Sequence, residues 1–164
     1  MARAADSSIV VRPLTASDVA TFVGLVAALA HYEALEPPDP GARDRLVKDA
    51  LTDPPRFTTL LAELAGRVVG YAIFFEAYST FLAQPTLYLE DLFVLPDARG
   101  RGIGSALFKT CAAEARRRGC GRMEWQVLAW NDLAIGFYES LGAAPLHADW
   151  RCYRLTAPQL EQLA

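Results

Sequence analysis

The pattern of apolar and polar positions divides the chain into strands and helices that alternate along most of its length. Apolar runs of strand length predict strands over residues 9–13, 57–64, 67–78, 87–95, 122–129 and 150–155. Apolar residues at helical spacing predict helices over residues 15–33, 43–51, 102–118, 133–141 and 157–163. This order is typical of an α/β fold with a mixed central sheet. We therefore expect a single domain that spans residues 1–164.

Composition and charge narrow the class of protein. The 164 residues are 52% hydrophobic and 21% charged, so one domain can bury a full core without disulfides or a metal. The net charge of −3 gives no overall basic field for a phosphate backbone, and we expect no nucleic-acid partner. Cys111, Cys120 and Cys152 are an odd number without metal-ligand spacing, and the two histidines lie far apart. Neither a disulfide framework nor a metal site is predicted.

Targeting and membrane signals are not recognisable in the sequence. Residues 1–8 have no apolar segment of the kind that forms the centre of a signal peptide. The apolar run over residues 22–30 is followed by polar residues and is well short of a membrane span. We expect a soluble, cytoplasmic protein that has no membrane partner.

A glycine-rich turn, Arg99-Gly-Arg-Gly-Ile-Gly104, lies between a predicted strand and the longest predicted helix of the second half. Glycine permits close approach of a ligand and backbone conformations that other residues avoid. The N-terminus of the following helix presents unpaired N–H groups and the positive end of the helix dipole. The turn therefore predicts a pyrophosphate site, with a plain loop as the alternative. It lacks the Lys-Ser/Thr ending of a Walker loop and does not follow the first strand of a dinucleotide-binding unit.

The turn resembles the acetyl-CoA loop of the GNAT family of N-acetyltransferases, whose signature is Gln or Arg, two residues, Gly, one residue, then Gly or Ala. Arg99, Gly102 and Gly104 match this signature. Three further segments occur in the family's order, at residues 88–94, 124–131 and 134–142. With residues 31–33, they are most similar to the diamine (spermidine/spermine) or thialysine acetyltransferase branch. The resemblance implies splayed middle strands in a mixed sheet flanked by helices, and acetyl-CoA as cosubstrate without a metal.

The resemblance also implies roles for individual residues. The implied cofactor-binding residues are Leu92, Phe93, Val94, Arg99, Gly100, Arg101, Gly102, Ile103, Gly104, Ser105, Asn131 and Tyr138. The implied substrate-binding residues are Tyr32, Glu33, Asp91 and Trp150. Glu90 would serve as the general base through water, and Tyr138 would protonate the departing thiolate.

The chemistry of amine acetylation independently requires a proton acceptor for the amine and a proton donor for the thiolate. An alkyl amine with a pKa of about 10.4 is protonated at pH 7, so a carboxylate or water must accept a proton before attack. A phenol can donate to the departing thiolate, which favours Tyr138 as the proton donor, with a core aromatic as the alternative. Glu90 and Asp91 are adjacent on a predicted strand and point to opposite faces unless a bulge re-aims one of them. We favour Glu90 as the proton acceptor.

The acidic residues at the motif positions predict the acceptor. Glu33, Glu90 and Asp91 favour a small cationic primary amine, namely a polyamine, a diamine or a lysine-like amino acid. Residues 78–86 carry no acidic side chain, unlike the polyamine enzymes, which leaves the smaller amines open. Acetylation of a protein N-terminus or lysine, or a non-catalytic CoA-binding regulatory module, are the alternatives. We also expect a homodimer, as is frequent in the family, with Trp150 and Tyr153 offering apolar surface.

Overall fold

The computed structural model describes residues 8–146 and 151–164, which contain five strands and five α-helices. The strands are β1 (Ile9–Pro13), β2 (Thr58–Leu64), β3 (Arg67–Ser79), β4 (Gln84–Val94) and β5 (Arg122–Trp125). The helices are α1 (Val19–Tyr32), α2 (Pro40–Leu51), α3 (Ile103–Arg117), α4 (Asp132–Ser140) and α5 (Ala157–Leu163). The chain forms two compact units, with all strands and α1 to α3 in the unit that ends at Gln126, and α4 and α5 in the unit that begins at Val127.

The five strands form one mixed sheet in the order β1-β2-β3-β4-β5. The first four strands are antiparallel to their neighbours, whereas β4 and β5 are parallel. The β4–β5 pairing covers only residues 86–89 of β4, opposite residues 122–125. Among the described residues, the second half of β4 therefore pairs with β3 alone. Its other edge leaves backbone groups available for an added strand-like ligand.

Apolar side chains cover both faces of the sheet. On one face, α3 buries a residue at every fourth position, in the series Ile103, Leu107, Cys111 and Ala115. On the other face, Phe22 and Leu25 of α1 pack against Leu61, Tyr71 and Phe93. The sheet thus lies between α3 and α1, and side chains on the α1 face of β3 and β4 are brought against the first helix.

A β-bulge interrupts β4 at Glu90. Asp91 lies opposite Ile73, and Leu89 lies opposite Phe74. Because Ile73 and Phe74 are consecutive in β3, Glu90 is an extra residue in β4 that has no partner in the ladder. Leu89 and Leu92 consequently pack in the same cluster on the α3 face, although residues three apart on a regular strand point to opposite faces. The bulge is what turns Asp91 towards the α1 face.

Two elements begin earlier than the sequence pattern predicts. Helix α2 begins at Pro40 instead of residue 43, because Asp39 caps it by accepting the N–H of Ala42 at 2.8 Å. Proline suits the first position of a helix, where its missing N–H costs nothing. Strand β4 begins at Gln84 instead of residue 87, because β3 and β4 continue their ladder to the pair Ser79–Gln84.

Two other predictions were wrong towards the C-terminus. Strand β5 ends at Trp125 instead of Ala129, and the chain then forms a turn in which the N–H of Asn131 donates to Leu128 O at 2.9 Å. The predicted last strand is not formed over the described residues 151–155, which have no ladder partner. Its first residue, Trp150, lies outside the described part of the chain. An apolar run becomes a strand only where a neighbouring strand accepts it.

The described residues lack the features of a membrane span and of a metal site. No helix there has both the length and the apolar character that a membrane crossing requires. In the same residues, no three His, Cys, Asp or Glu side chains are grouped so that they could hold a metal ion.

Candidate active site

The turn that connects β4 to α3, which we call the cofactor turn (residues 96–105), depends on two glycines in left-handed conformation. Gly100 has φ +73° and Gly102 has φ +84°, values that favour glycine. An added Cβ would meet nothing within 4 Å at Gly100, and only Ile9 Cδ1 at 3.8 Å at Gly102. The backbone conformation therefore requires these glycines, and the space beside them is open to a ligand.

The N-terminus of α3 presents backbone donors to this space. Gly102 occupies the N-cap position and has no side chain with which to cap the helix. The N–H of Ala106 is the first to bond within the helix, to Gly102 O at 2.9 Å. The N–H groups of Ile103, Gly104 and Ser105 have no intrahelical acceptor and lie at the positive end of the helix dipole. Such a set of donors fits a pyrophosphate.

The side chain of Arg99 in the cofactor turn contacts both β4 and the end of α1. Its Nε donates to Val94 O at 2.9 Å. Its guanidinium lies 4.5 Å from the ring centroid of Tyr32 and 5.6 Å from that of Phe93. These contacts are cation–π interactions, each worth about 0.5–2 kcal/mol according to exposure. The C-terminal end of α1, with Glu33, is thereby joined to the cofactor turn.

Close packing between β3 and β4 holds the edge that carries Leu92, Phe93 and Val94. A Cβ at Gly70 would lie 2.7 Å from Phe93 O, so only glycine permits the two backbones to approach this closely. Beyond the ladder, the N–H of Leu95 donates to Val69 O at 2.9 Å. The open edge of β4 is therefore a rigid one.

Three acidic side chains, Glu33, Glu90 and Asp91, form what we call the carboxylate cluster. Asp91 is half-buried, and its burial raises its pKa to about 6, with the neighbouring charges of Glu90 and Glu33 acting in the same direction. Burial also raises the pKa of Glu33, whereas the side chain of Glu90 is exposed at the bulge. Desolvation and like charges both disfavour ionised carboxylates, so the cluster is poised to bind a cation.

One residue of this site, Tyr71, was missed by the sequence analysis. Its hydroxyl donates to Asp91 Oδ2 at 3.1 Å, and the residue is fully buried. Burial, followed by the negative charge of Asp91, raises the pKa of the phenol well above its usual range. The available signal was a tyrosine in the middle of an apolar strand, since a buried phenol ordinarily requires a polar partner.

The second unit carries two of the predicted cofactor-binding residues. Asn131 caps α4, and its Oδ1 accepts the N–H of Ala134 at 3.2 Å. Tyr138 is half-buried within α4, and its ring centroid lies 5.3 Å from that of Phe137. The predicted substrate residue Trp150 lies outside the described residues. The first unit thus brings together Tyr32 and the carboxylate cluster, whereas Asn131 and Tyr138 belong to the second unit.

Comparison with known proteins identifies the class. The sequence profile of the Acetyltransferase (GNAT) family matches residues 26–143, which is most of the chain. The chain belongs to this family and is an acetyltransferase, which confirms the resemblance, the enzyme class and the α/β fold class inferred from the sequence.

Individual relatives refine the comparison. The chain is 32% identical over 166 residues to the thialysine N-epsilon-acetyltransferase of Bos taurus, covering 95% of this chain and 97% of that protein. It is 40% identical over 114 residues to an L-ornithine N5-acetyltransferase of Arabidopsis thaliana, covering 69% of this chain and 50% of that protein. Among solved structures, an integron cassette protein from the mobile metagenome of V. cholerae superposes with a TM-score of 0.77 at 25% identity, covering 95% and 97% of the two chains.

Proposed function

We propose that this enzyme transfers an acetyl group from acetyl-CoA to a primary amine of a small cationic acceptor: a polyamine, a diamine or a lysine-like amino acid. The observation that carries the proposal is the carboxylate cluster, which the fold assembles beside the cofactor turn from Glu33, directly after α1, and from two residues of β4. A cluster of like charges attracts a cation. The relatives named for thialysine and L-ornithine acetylation support an amine acceptor.

The cofactor turn would hold the pyrophosphate of acetyl-CoA through the backbone amides of residues 100–105. The open edge of β4 at Leu92 and Phe93 would pair with the pantetheine arm, and Asn131 would add a hydrogen bond. Acetyl-CoA supplies an already activated acyl thioester, so no covalent enzyme intermediate is needed. Burial raises the pKa of the Cys111 thiol to about 12, which is the opposite of what a nucleophile requires.

Proton transfer is assigned to two residues. The acceptor amine arrives protonated, and Glu90, exposed at the bulge, takes that proton through water. The neutral nitrogen then forms the amide bond as the carbon–sulfur bond breaks, and the Tyr138 hydroxyl donates a proton to the departing sulfur. The second proton that the nitrogen loses on amide formation passes through water to the Tyr138 phenolate and restores the phenol. Glu33 and Asp91 bind the positive charge of the acceptor, and Tyr32 adds an aromatic contact; the substrate role that the sequence predicts for Trp150 stays a prediction. No metal takes part.

A panel of amines, assayed by release of the free thiol of CoA, tests this function. A diamine should be a better substrate than a monoamine of equal length, and added salt should reduce the preference because exposed charges are screened. Equal acetylation of neutral or anionic amines would overturn the proposal. Acetylation of peptides alone would favour a protein acetyltransferase, and CoA binding without turnover would favour a regulatory module.

We also propose that the enzyme is a homodimer that acts in the cytoplasm. In the second unit, the side chain of Tyr153 is 89% exposed, which leaves apolar surface for a second copy to cover. Light scattering at micromolar concentration gives the mass directly. A monomer mass would reject the dimer without affecting the assignment of the reaction.

A further inference from the structure

We propose that Tyr71 is a positioning residue for the acceptor: its buried hydroxyl holds the Asp91 carboxylate in the orientation that binds the ammonium group. This inference rests on the proposed function and deepens it, because it identifies what keeps the half-buried carboxylate of Asp91 ready for a cation. Tyr71 does not touch the reacting atoms in this scheme and acts through Asp91.

The packing of Tyr71 fixes where its hydroxyl points. The residue is fully buried in the middle of β3. Its ring centroid lies 5.8 Å from that of Phe22 in an edge-to-face arrangement and 6.3 Å from that of Phe93. Aromatic neighbours from α1 and β4 thus hold the ring between them. The hydroxyl is a donor held in one place, as a positioning group requires.

The bulge at Glu90 provides the matching acceptor. Because Glu90 is the additional residue, Asp91 falls on the α1 face and meets Tyr71 across the β3–β4 ladder. The hydroxyl donates to Oδ2 at 3.1 Å. Among the residues that the structure describes, none donates to the second oxygen, Oδ1. One carboxylate oxygen is therefore anchored by the protein, and the other is available to an ammonium group.

The surrounding charges show why this anchor matters. Burial raises the pKa of Asp91, and so do the charges of Glu90 on β4 and of Glu33 directly after α1, whereas the hydrogen bond from Tyr71 lowers it. Arg99, the nearby cation of the cofactor turn, lies on the rings of Tyr32 and Phe93. Of the groups that act on Asp91, Tyr71 is the one that favours its ionised form. A protonated Asp91 would have no charge with which to attract the acceptor.

The test compares Tyr71→Phe with Tyr78→Phe, a matched removal of a hydroxyl from an exposed residue of the same strand. We measure kcat and KM for a diamine from pH 5 to pH 9. Loss of the hydrogen bond raises the pKa of Asp91 from its value of about 6. A rise of about one pH unit increases KM at pH 6 roughly fivefold, while KM at pH 9 and kcat stay within about twofold. Tyr78→Phe should follow the wild type throughout.

A second readout does not depend on activity. The carboxyl ¹³C resonance of Asp91 is titrated in each protein without substrates, and its midpoint should move to higher pH in Tyr71→Phe only. In an Asp91→Asn background, Tyr71→Phe should cause no further change in the pH dependence of KM. An unmoved midpoint would overturn the inference, as would a loss of activity that is uniform across pH, since that is what disturbed packing produces.

The two proposals fail in different ways. If the wild type does not acetylate the diamine at all, the proposed function fails. If the wild type acetylates it and Tyr71→Phe keeps the wild-type pH dependence of KM, the role of Tyr71 fails and the function stands.

Discussion

The cofactor turn and the carboxylate cluster lie in the same unit, joined by Arg99, yet they are built by opposite means. The cofactor turn is made of backbone: two left-handed glycines and the amides that begin α3. Its determinants all fall within ten consecutive residues. The carboxylate cluster is made of side chains from β4 and from the residue that follows α1, and a phenol on β3 lowers the pKa of its Asp91 carboxyl.

This difference separates two kinds of binding. Backbone amides at a helix N-terminus carry a fixed partial positive charge that does not titrate, so the cofactor turn should bind an anion at any pH at which the protein is folded. The carboxylate cluster contains a half-buried acid, Asp91, with a pKa of about 6, so its affinity for a cation should depend on pH. Mutations in the two regions should therefore change different measured quantities: CoA affinity for the cofactor turn, and kcat or KM for the amine for the carboxylate cluster.

The largest expected effect comes from Gly102→Asp, which breaks the cofactor turn alone. The substitution places a side chain at φ +84° and a negative charge beside the amides of α3. CoA at about one hundred times its dissociation constant should add roughly 2.7 kcal/mol of apparent stability to the wild type and nothing to the variant. Differential scanning fluorimetry measures this shift.

Gly119→Asp is the matched control for that variant. Gly119 also has a left-handed φ, +71°, with nothing within 4 Å of an added Cβ, and it follows the opposite end of α3. It should lose comparable stability but keep the full response to CoA. A CoA response that survives in Gly102→Asp would contradict the assignment of the turn.

Tyr138→Phe tests whether Tyr138, a predicted cofactor-binding residue, donates a proton to the departing thiolate. The ring and its contact with Phe137 are kept, and only the hydroxyl is lost. We expect kcat to fall roughly 10²-fold, within the usual range for one general acid, with little change in CoA affinity. Turnover at the wild-type rate would leave Tyr138 as a packing residue and assign the proton to water.

Glu90→Gln separates proton transfer from cation binding within the carboxylate cluster. The variant should lower kcat by roughly 10- to 100-fold and make the rate rise more steeply with pH, while CoA binding stays unchanged. Glu36→Gln, at an exposed position after α1, is the control that should match the wild type. A rise in KM at constant kcat would instead place Glu90 among the binding residues.

The smallest effect is expected for Glu33→Gln. A partly exposed carboxylate contributes about 0.2–1 kcal/mol to a cation, so KM for a diamine should rise roughly 1.5- to 5-fold with kcat kept. Because the charge of Glu33 raises the pKa of Asp91, its removal should shift the pH dependence of KM to lower pH. That is the reverse of the shift expected for Tyr71→Phe. If both variants shifted the pH dependence in the same direction, the opposite effects assigned to Glu33 and Tyr71 on the pKa of Asp91 would be disproved.

The prediction of the fold succeeded where the signal was local. The predicted ranges of strand β1 and helix α5 are correct, because the periodicity of each is contained in a few positions. The extent of β5 and the strand predicted over residues 150–155 depended on a neighbouring strand, and apolar composition alone could not supply one.

The sequence by itself determined the cofactor turn, because a glycine pattern before a helix specifies its own backbone geometry and its own donors. Only the tertiary structure decided the arrangement of the carboxylate cluster. The position of the bulge at Glu90 follows from the register between β3 and β4, and the burial of Asp91 follows from α1 packing on the sheet. The hydrogen bond from Tyr71 needs both, since it joins residues on two strands that meet only when the sheet has formed.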